Sequence, residues 1–166
     1  MKYNLDSYIT QNFKWKEFFK SQTAKRKGID NIPTDDNIWE NLEELVVNVL
    51  QPLRDEFGRI RITSGYRSPE LNGAIGGSEN SNHCFGFAAD IEPLKENVSL
   101  MDVIVYIHNI LDFRELIAEY FPDGWIHVAY RKGSNARQLK LKDDNHNYQR
   151  VSLEYIKQLY GGSRWD

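Results

Sequence analysis

Residues 113–130 read FRELIAEYFPDGWIHVAY, two β-prone runs on either side of Pro122-Asp123-Gly124, which is the pattern of an antiparallel hairpin. Pro first and Gly last suit a three-residue loop built on a type I turn. In that register Phe121 faces Trp125, and Glu119 lies directly across from His127. A two-residue turn would slip the pairing by one and send Glu119 to the other face. Working back from the hairpin, residues 99–111 suit an amphipathic helix with Leu100, Val103, Ile104, Ile107 and Ile110 inward. FAADIEP (87–93) is a short, mostly apolar strand, and RIRITSGYR (59–67) is a strand running into a loop. Between them, residues 68–82 are rich in Gly, Ser and Asn and read as irregular and exposed. Residues 38–57 form a long amphipathic helix, broken or kinked near Pro52 and ended by Gly58. Phe13, Trp15, Phe18 and Phe19 cluster as one face of a short helix would. After the hairpin come a polar loop, KDDNHNYQ, and a last helix, SLEYIKQLY, closed by Gly161. Alternating helices and short strands without an internal repeat predict an α+β fold, a small central antiparallel sheet packed with helices.

The chain has 166 residues, 40% of them hydrophobic and 13% aromatic, enough for one core but short for two. A single domain spanning 1–166 is expected. The net charge is −3, and Lys and Arg form no block able to neutralise a run of phosphates, so nucleic acid is excluded as a partner. Cys84 is the only cysteine, so a metal site must use His and carboxylate ligands. MKYNLDSYIT lacks the apolar core of a secretory signal and no stretch is apolar enough for a membrane span. The expectation is a soluble product made in the cytoplasm, with no membrane partner.

Four histidines are available. His108 falls in a helix and His146 in a polar loop, so both read as structural or solvent-exposed. His83 stands in SNHCFGFAAD, where Ser81, His83, Gly86, Ala88 and Asp90 make an S-x-H-x-x-G-x-A-x-D arrangement. On a straight strand a carboxylate seven residues after a histidine would point to the opposite face, so Gly86 must supply a turn. His127, in WIHVAY, lies on the strand after the hairpin turn. Two His and one Asp leave a fourth tetrahedral position open, as a catalytic zinc requires. An ordinary loop His and a satisfied strand His would explain the spacing equally well if it stood alone.

The pattern extends further, from FKWKEFFKSQTAKRKGIDN through LQPLRDEFG and ITSGYRSPELN to GWIHVAY, covering about residues 8–135 and leaving 136–166 as a C-terminal strand and helix extension. In this order the motifs resemble the zinc D-alanyl-D-alanine carboxypeptidases and related phage endolysins, whose metal site is shared with lysostaphin-type peptidases and the hedgehog domain. The resemblance implies one Zn2+ held by His83, Asp90 and His127, with Arg67 of SGYRS contacting substrate and steadying an oxyanion. A surface salt bridge is the plain alternative for Arg67. The implied substrate is a peptidoglycan stem peptide, cut as a D-Ala-D-Ala carboxypeptidase or an L,D-endopeptidase by a monomer acting after lysis or from a virion. The motifs do not say which bond is cut. An inactive zinc-binding module of the same fold is the rival reading.

One position departs from the pattern. Several relatives place a catalytic acid or base three residues before the final histidine, where this chain has Gly124. From the hairpin register Glu119 is the candidate base, with Asp123 or another group as alternatives. Ser81 and Ser78 could hydrogen-bond in the cleft or cap its loop. Cys84 reads as buried packing. Tyr66, Trp125 and Tyr130 could line a substrate groove or pack in the core.

Overall fold

The amphipathic run after Thr34 forms a single helical rod that changes pitch near Pro52. In the computed structural model, which describes residues 3–163, helix α3 (Asp36–Leu45) is N-capped by the Asp35 carboxylate, which accepts from the Asn37 N–H. It passes through a π-helical turn, Val46–Leu50, into α4 (Gln51–Phe57). Pro52 has no N–H to give to the carbonyl four residues back, and its ring crowds that carbonyl. The turn before it widens in response, and the Gln51 N–H reaches back to Val46 O. Gly58, at φ 79°, ends the rod and donates to Arg54 O. Leu42, Leu45, Val46, Val49, Leu50, Leu53 and Phe57 are fully buried along it.

Two short helices precede the rod, α1 (Trp15–Phe19) and α2 (Gln22–Lys27). Phe13 is buried with the α1 aromatics but lies ahead of that helix. The strands are β1 (Ile60–Ser64), β2 (Ala88–Pro93), β3 (Glu115–Glu119), β4 (Trp125–Ala129), β5 (Gln138–Lys142) and β6 (Tyr148–Arg150), in the sheet order β1-β2-β4-β3-β5-β6. The fold is α+β as expected, but the sheet is mixed: β3 and β5 run parallel while the other pairs are antiparallel. The polar tail loop is a turn joining β5 to β6, and α7 (Leu153–Tyr160) follows it.

Side-chain alternation gives the sheet two chemically different faces. Ala89, Ile91, Leu116, Ala118, Ile126, Val128 and Leu139 point into one continuous core with the rod, α6 (Leu100–Ile110) and α7. On the other face stand Asp90, Glu115, Ile117, Glu119, Trp125, His127, Lys140 and Lys142, which line a cleft. Helix α6 buries Val103, Ile104 and Ile107 as its periodicity requires, with Met101 and Val105 as well, but Ile110 is 63% exposed. The chain turns away at Leu111 before Ile110 can reach the core.

Residues 68–82 are not wholly irregular. Ser68 caps a helix, α5 (Pro69–Ala74), by accepting from the Leu71 N–H, and Pro69 stands in the first turn, where its missing N–H costs nothing. Leu71 and Asn72 are buried beneath it.

The hairpin register also differs. Glu119 pairs with Trp125, Ile117 with His127, and Glu115 with Ala129. The connection is Tyr120–Gly124, five residues with a cis Phe121–Pro122 peptide, in place of the expected three. Strand β3 stops at Glu119 because Tyr120 turns into the left-handed region, at φ 53°, and gives its N–H to Lys142 O of β5. Glu119 is therefore not directly across from His127, although the shift of two keeps it on the same face.

Candidate metal centre

Gly86 does what the spacing demands. A 3-10 turn, Asn82–Phe85, carries His83 and ends at Gly86 in the left-handed conformation, φ 73°. A Cβ there would sit 2.5 Å from Ile38 O on α3, so the turn that returns the chain to β2 needs glycine for both backbone and space. Asp90 pairs with His127 on the neighbouring strand, and the three side chains meet. His83 Nε2 is 3.1 Å from His127 Nδ1, and both face Asp90 Oδ1, at 3.2 and 2.9 Å. All three residues are buried. Among the described residues this is the one cluster of three or more His, Cys, Asp or Glu placed to hold a metal ion.

The donors fit a metal in spacing and in protonation. A tetrahedral zinc with bonds of ~2.0–2.1 Å has ligand atoms roughly 3.3 Å apart, close to the separations here. His83 Nδ1 lies 2.6 Å from Gly65 O; donating there fixes the tautomer that leaves the Nε2 lone pair for a metal. Burial pushes the His83 imidazole below its ordinary value, against the pull of Asp90, which favours that neutral form. Burial alone would raise the Asp90 carboxyl, but the histidines outweigh it and hold the group below the usual carboxylate range. Burial likewise works against charge on His127, yet Asp90 and then Glu115 push the metal-free imidazole up to about 9.

Asp90 is oriented from its other oxygen, where Arg67 Nη2 approaches Oδ2 to 2.6 Å while Arg67 Nε donates to Ser64 Oγ at 2.9 Å. Arg67 thus lines the cleft with its guanidinium held by the Asp90 carboxylate. The loop that carries it is fixed from below. The buried Asn31 amide donates to Phe19 O and Tyr66 O and accepts from the Ser68 N–H. Gly65 sits so close to α1 that a Cβ would lie 2.5 Å from Phe18 O.

Glu115 was not singled out by sequence, and it stands nearer His127 than its strand position suggested. Its Oε1 accepts from Asn82 Nδ2 at 3.1 Å and lies 3.6 Å from His127 Nε2, while its Oε2 holds Lys140. Among the described residues no acceptor lies within hydrogen-bond distance of His127 Nε2, so Glu115 acts on it by charge across a short gap. His127 first and Lys140 next hold the Glu115 carboxyl down to about 2. The signal was present: Glu115 and Glu119 share strand parity with the hairpin histidine and flank it diagonally once the register is known.

Glu119 lines the same cleft, of about 410 Å3. Its Oε2 binds Lys142 Nζ at 2.9 Å, and its Oε1 makes no hydrogen bond among the described residues. Gly124 leaves no room for a side chain, because a Cβ there would lie 1.9 Å from Glu119 O. Asp123 is exposed in the hairpin loop and does not line the cleft.

Ser81 borders the cleft and caps the 3-10 turn, accepting from the His83 N–H at 3.4 Å, while Ser78 Oγ accepts from the Asn80 N–H. Tyr66 is buried with its ring edge-on to Phe19 and does not line this cleft; it borders a neighbouring depression beyond Arg67. Trp125 lines the cleft, and Cys84 is buried as expected. His108 sits on α6 against Asn109, and His146 meets the Tyr120 hydroxyl.

The profile of a family described as Peptidase M15 matches residues 11–129, well over half of the chain and including His83, Asp90 and His127. The chain belongs to the Peptidase M15 family. A search of curated proteins gave no match. Membership makes the chain one of a family of peptidases, and the match ends where β4 ends, before β5 and β6.

Proposed function

We propose that this M15 protein is a zinc-dependent peptidase hydrolysing peptidoglycan stem peptides, as a D-Ala-D-Ala carboxypeptidase or an L,D-endopeptidase, in the role of a phage endolysin or virion-associated lysin. The observation that carries the reading is the convergence of His83 Nε2, Asp90 Oδ1 and His127 Nδ1, three protein donors at the floor of an open cleft. A purely structural zinc takes four protein ligands, whereas three leave a position for chemistry. Zinc bound there would supply Lewis acidity to the scissile carbonyl and the attacking water. Glu119, through its unengaged Oε1, takes the proton of that water and returns it to the leaving amine. Arg67 fixes Asp90 with one nitrogen and offers its remaining N–H groups to the oxyanion. Glu115 steadies His127 from the far side of its ring. No helix among the described residues is long and apolar enough to cross a membrane.

The same fold without activity is favoured by Gly124, which stands where several proteins of the resembled family keep an acid or base. The decisive experiment is to incubate the zinc-loaded protein with purified peptidoglycan, with and without a chelator, and to identify released ends by mass spectrometry. New amine and carboxyl termini that vanish with the chelator support the peptidase and identify the bond. No new termini under any metal loading would leave only the inactive module.

A further inference from the structure

The cleft is completed by chain that lies outside the family match. Strand β5 places Lys140 and Lys142 on the same face as the metal group, and β6 adds Tyr148 to the cleft wall. The two lysines pair with the two carboxylates that flank His127, Lys140 with Glu115 and Lys142 with Glu119. In each pair one carboxylate oxygen goes to the lysine and the other is left for the site. Glu115 turns its second oxygen to Asn82 and His127, and Glu119 keeps its second oxygen unengaged among the described residues. Lys142 is itself confined. Its Nζ lies 5.1 Å from the Tyr120 ring centroid and 4.9 Å from that of Tyr148, and its side chain is 15% exposed. An ammonium held between two aromatic faces and one carboxylate has few other places to go.

We infer that Lys142 is a positioning residue for the general base: it grips Glu119 Oε2, so that Oε1 is held toward the reacting water. The inference rests on Glu119 being the base. The β5–β6 segment is then part of the catalytic apparatus and not an appendage to it. A buried ion pair is weak evidence of a stabilising role, because desolvation offsets most of the attraction. A carboxylate that must act with one oxygen, however, benefits from having the other immobilised, since small displacements of a catalytic group cost large factors in rate.

The test compares Lys142→Met, Lys142→Arg, Glu119→Gln and the double variant Glu119→Gln/Lys142→Met. Steady-state kinetics are measured on the peptidoglycan peptide cleaved by the wild-type protein, with zinc content and thermal unfolding recorded for each variant. Lys142→Met is expected to lower kcat by roughly 10²-fold with KM changed less than about threefold. It should retain one zinc, Lys142→Arg should recover most of the loss, and Lys142→Met should cost nothing further in the Glu119→Gln background. If Lys142→Met keeps kcat within about threefold of wild type while Glu119→Gln is inactive, the lysine has no positioning role and the base assignment stands. If Glu119→Gln retains turnover, the base assignment itself fails and the inference falls with it. A Lys142→Met or Lys142→Arg protein that loses its zinc or its fold together with turnover would also overturn the inference, because the lysine would then be holding the site and not the base.

Discussion

Replacing Gly65 by alanine places a methyl group where the end of β1 meets α1, and its effect can be followed outward to the metal. The new Cβ would lie 2.5 Å from Phe18 O and 2.7 Å from Phe18 Cα, about 0.9 Å short of ordinary contact. Both partners are backbone, so neither can rotate away and the loop must lift off the helix. The Tyr66 N–H to Phe18 O bond of 2.8 Å would be stretched, and overpacking of this kind costs about 1–3 kcal/mol. The same displacement carries the Gly65 carbonyl away from His83 Nδ1, now 2.6 Å distant, to the edge of hydrogen-bond range at roughly 3.5 Å. Losing an orienting partner of a metal-ligating histidine weakens metal binding by about 10–100-fold. Zinc competition against a chromophoric chelator measures that loss, and urea unfolding of the metal-free protein measures the packing cost. A variant that is destabilised yet binds zinc within about threefold of wild type would show that the Gly65 carbonyl does not orient His83.

Other changes follow from the same geometry. Gly124→Glu is expected to lose about 2 kcal/mol or more because its Cβ meets Glu119 O at 1.9 Å; a stable variant with raised turnover would contradict the pairing of Glu119 with Trp125. Glu119→Gln should lower kcat by about 10²–10⁴-fold, whereas Asp123→Asn, outside the cleft, should leave it within about twofold; reversed effects in the same assay would move the base to the loop. In the metal-free protein His127 is raised to about 9 from an unfolded value of about 6.5, so its contribution to stability is complete below the lower value and lost as pH rises through the higher one. The urea midpoint should therefore fall between pH 6 and pH 9.5, by the equivalent of at most about 3 kcal/mol; a midpoint that rises would refute the His127–Asp90 pairing.

What the sequence showed about the site was governed by parity. In WIHVA and AADIEP the apolar residues Ile126, Val128, Ala89 and Ile91 alternate with His127 and Asp90, so burying the apolar set leaves His127 and Asp90 together on the opposite face, and Gly86 signalled the turn that brings His83 to them. Parity also survives a register shift of two, so Glu119 shares the face of His127 even though the partner of His127 is Ile117. Such a shift moves the cross-strand neighbour by about 7 Å, enough to bring Glu115 alongside His127. The loop length that sets the shift depends on Tyr120 turning left-handed and bonding to Lys142 O. That interaction spans 22 residues of chain and leaves no local signature. Likewise, the alternation of Gln138, Lys140 and Lys142 suits a half-buried strand, but its parallel pairing with β3 is a tertiary fact. Asn31 is a polar residue in a turn-rich stretch until the structure shows it tying α1 to the loop of Arg67. Pro52 was legible as a break, and the π-helical turn is how the rod absorbs it without bending out of the core.

Whether His83, Asp90 and His127 hold one catalytic zinc is tested most directly by titrating the metal into the metal-free protein. Peptide release from purified peptidoglycan should rise in proportion to added zinc, reach its plateau at one equivalent, and be abolished by His127→Ala. Release that is indifferent to zinc and chelator, or tight binding of one zinc with no release at all, would contradict a catalytic zinc at these residues.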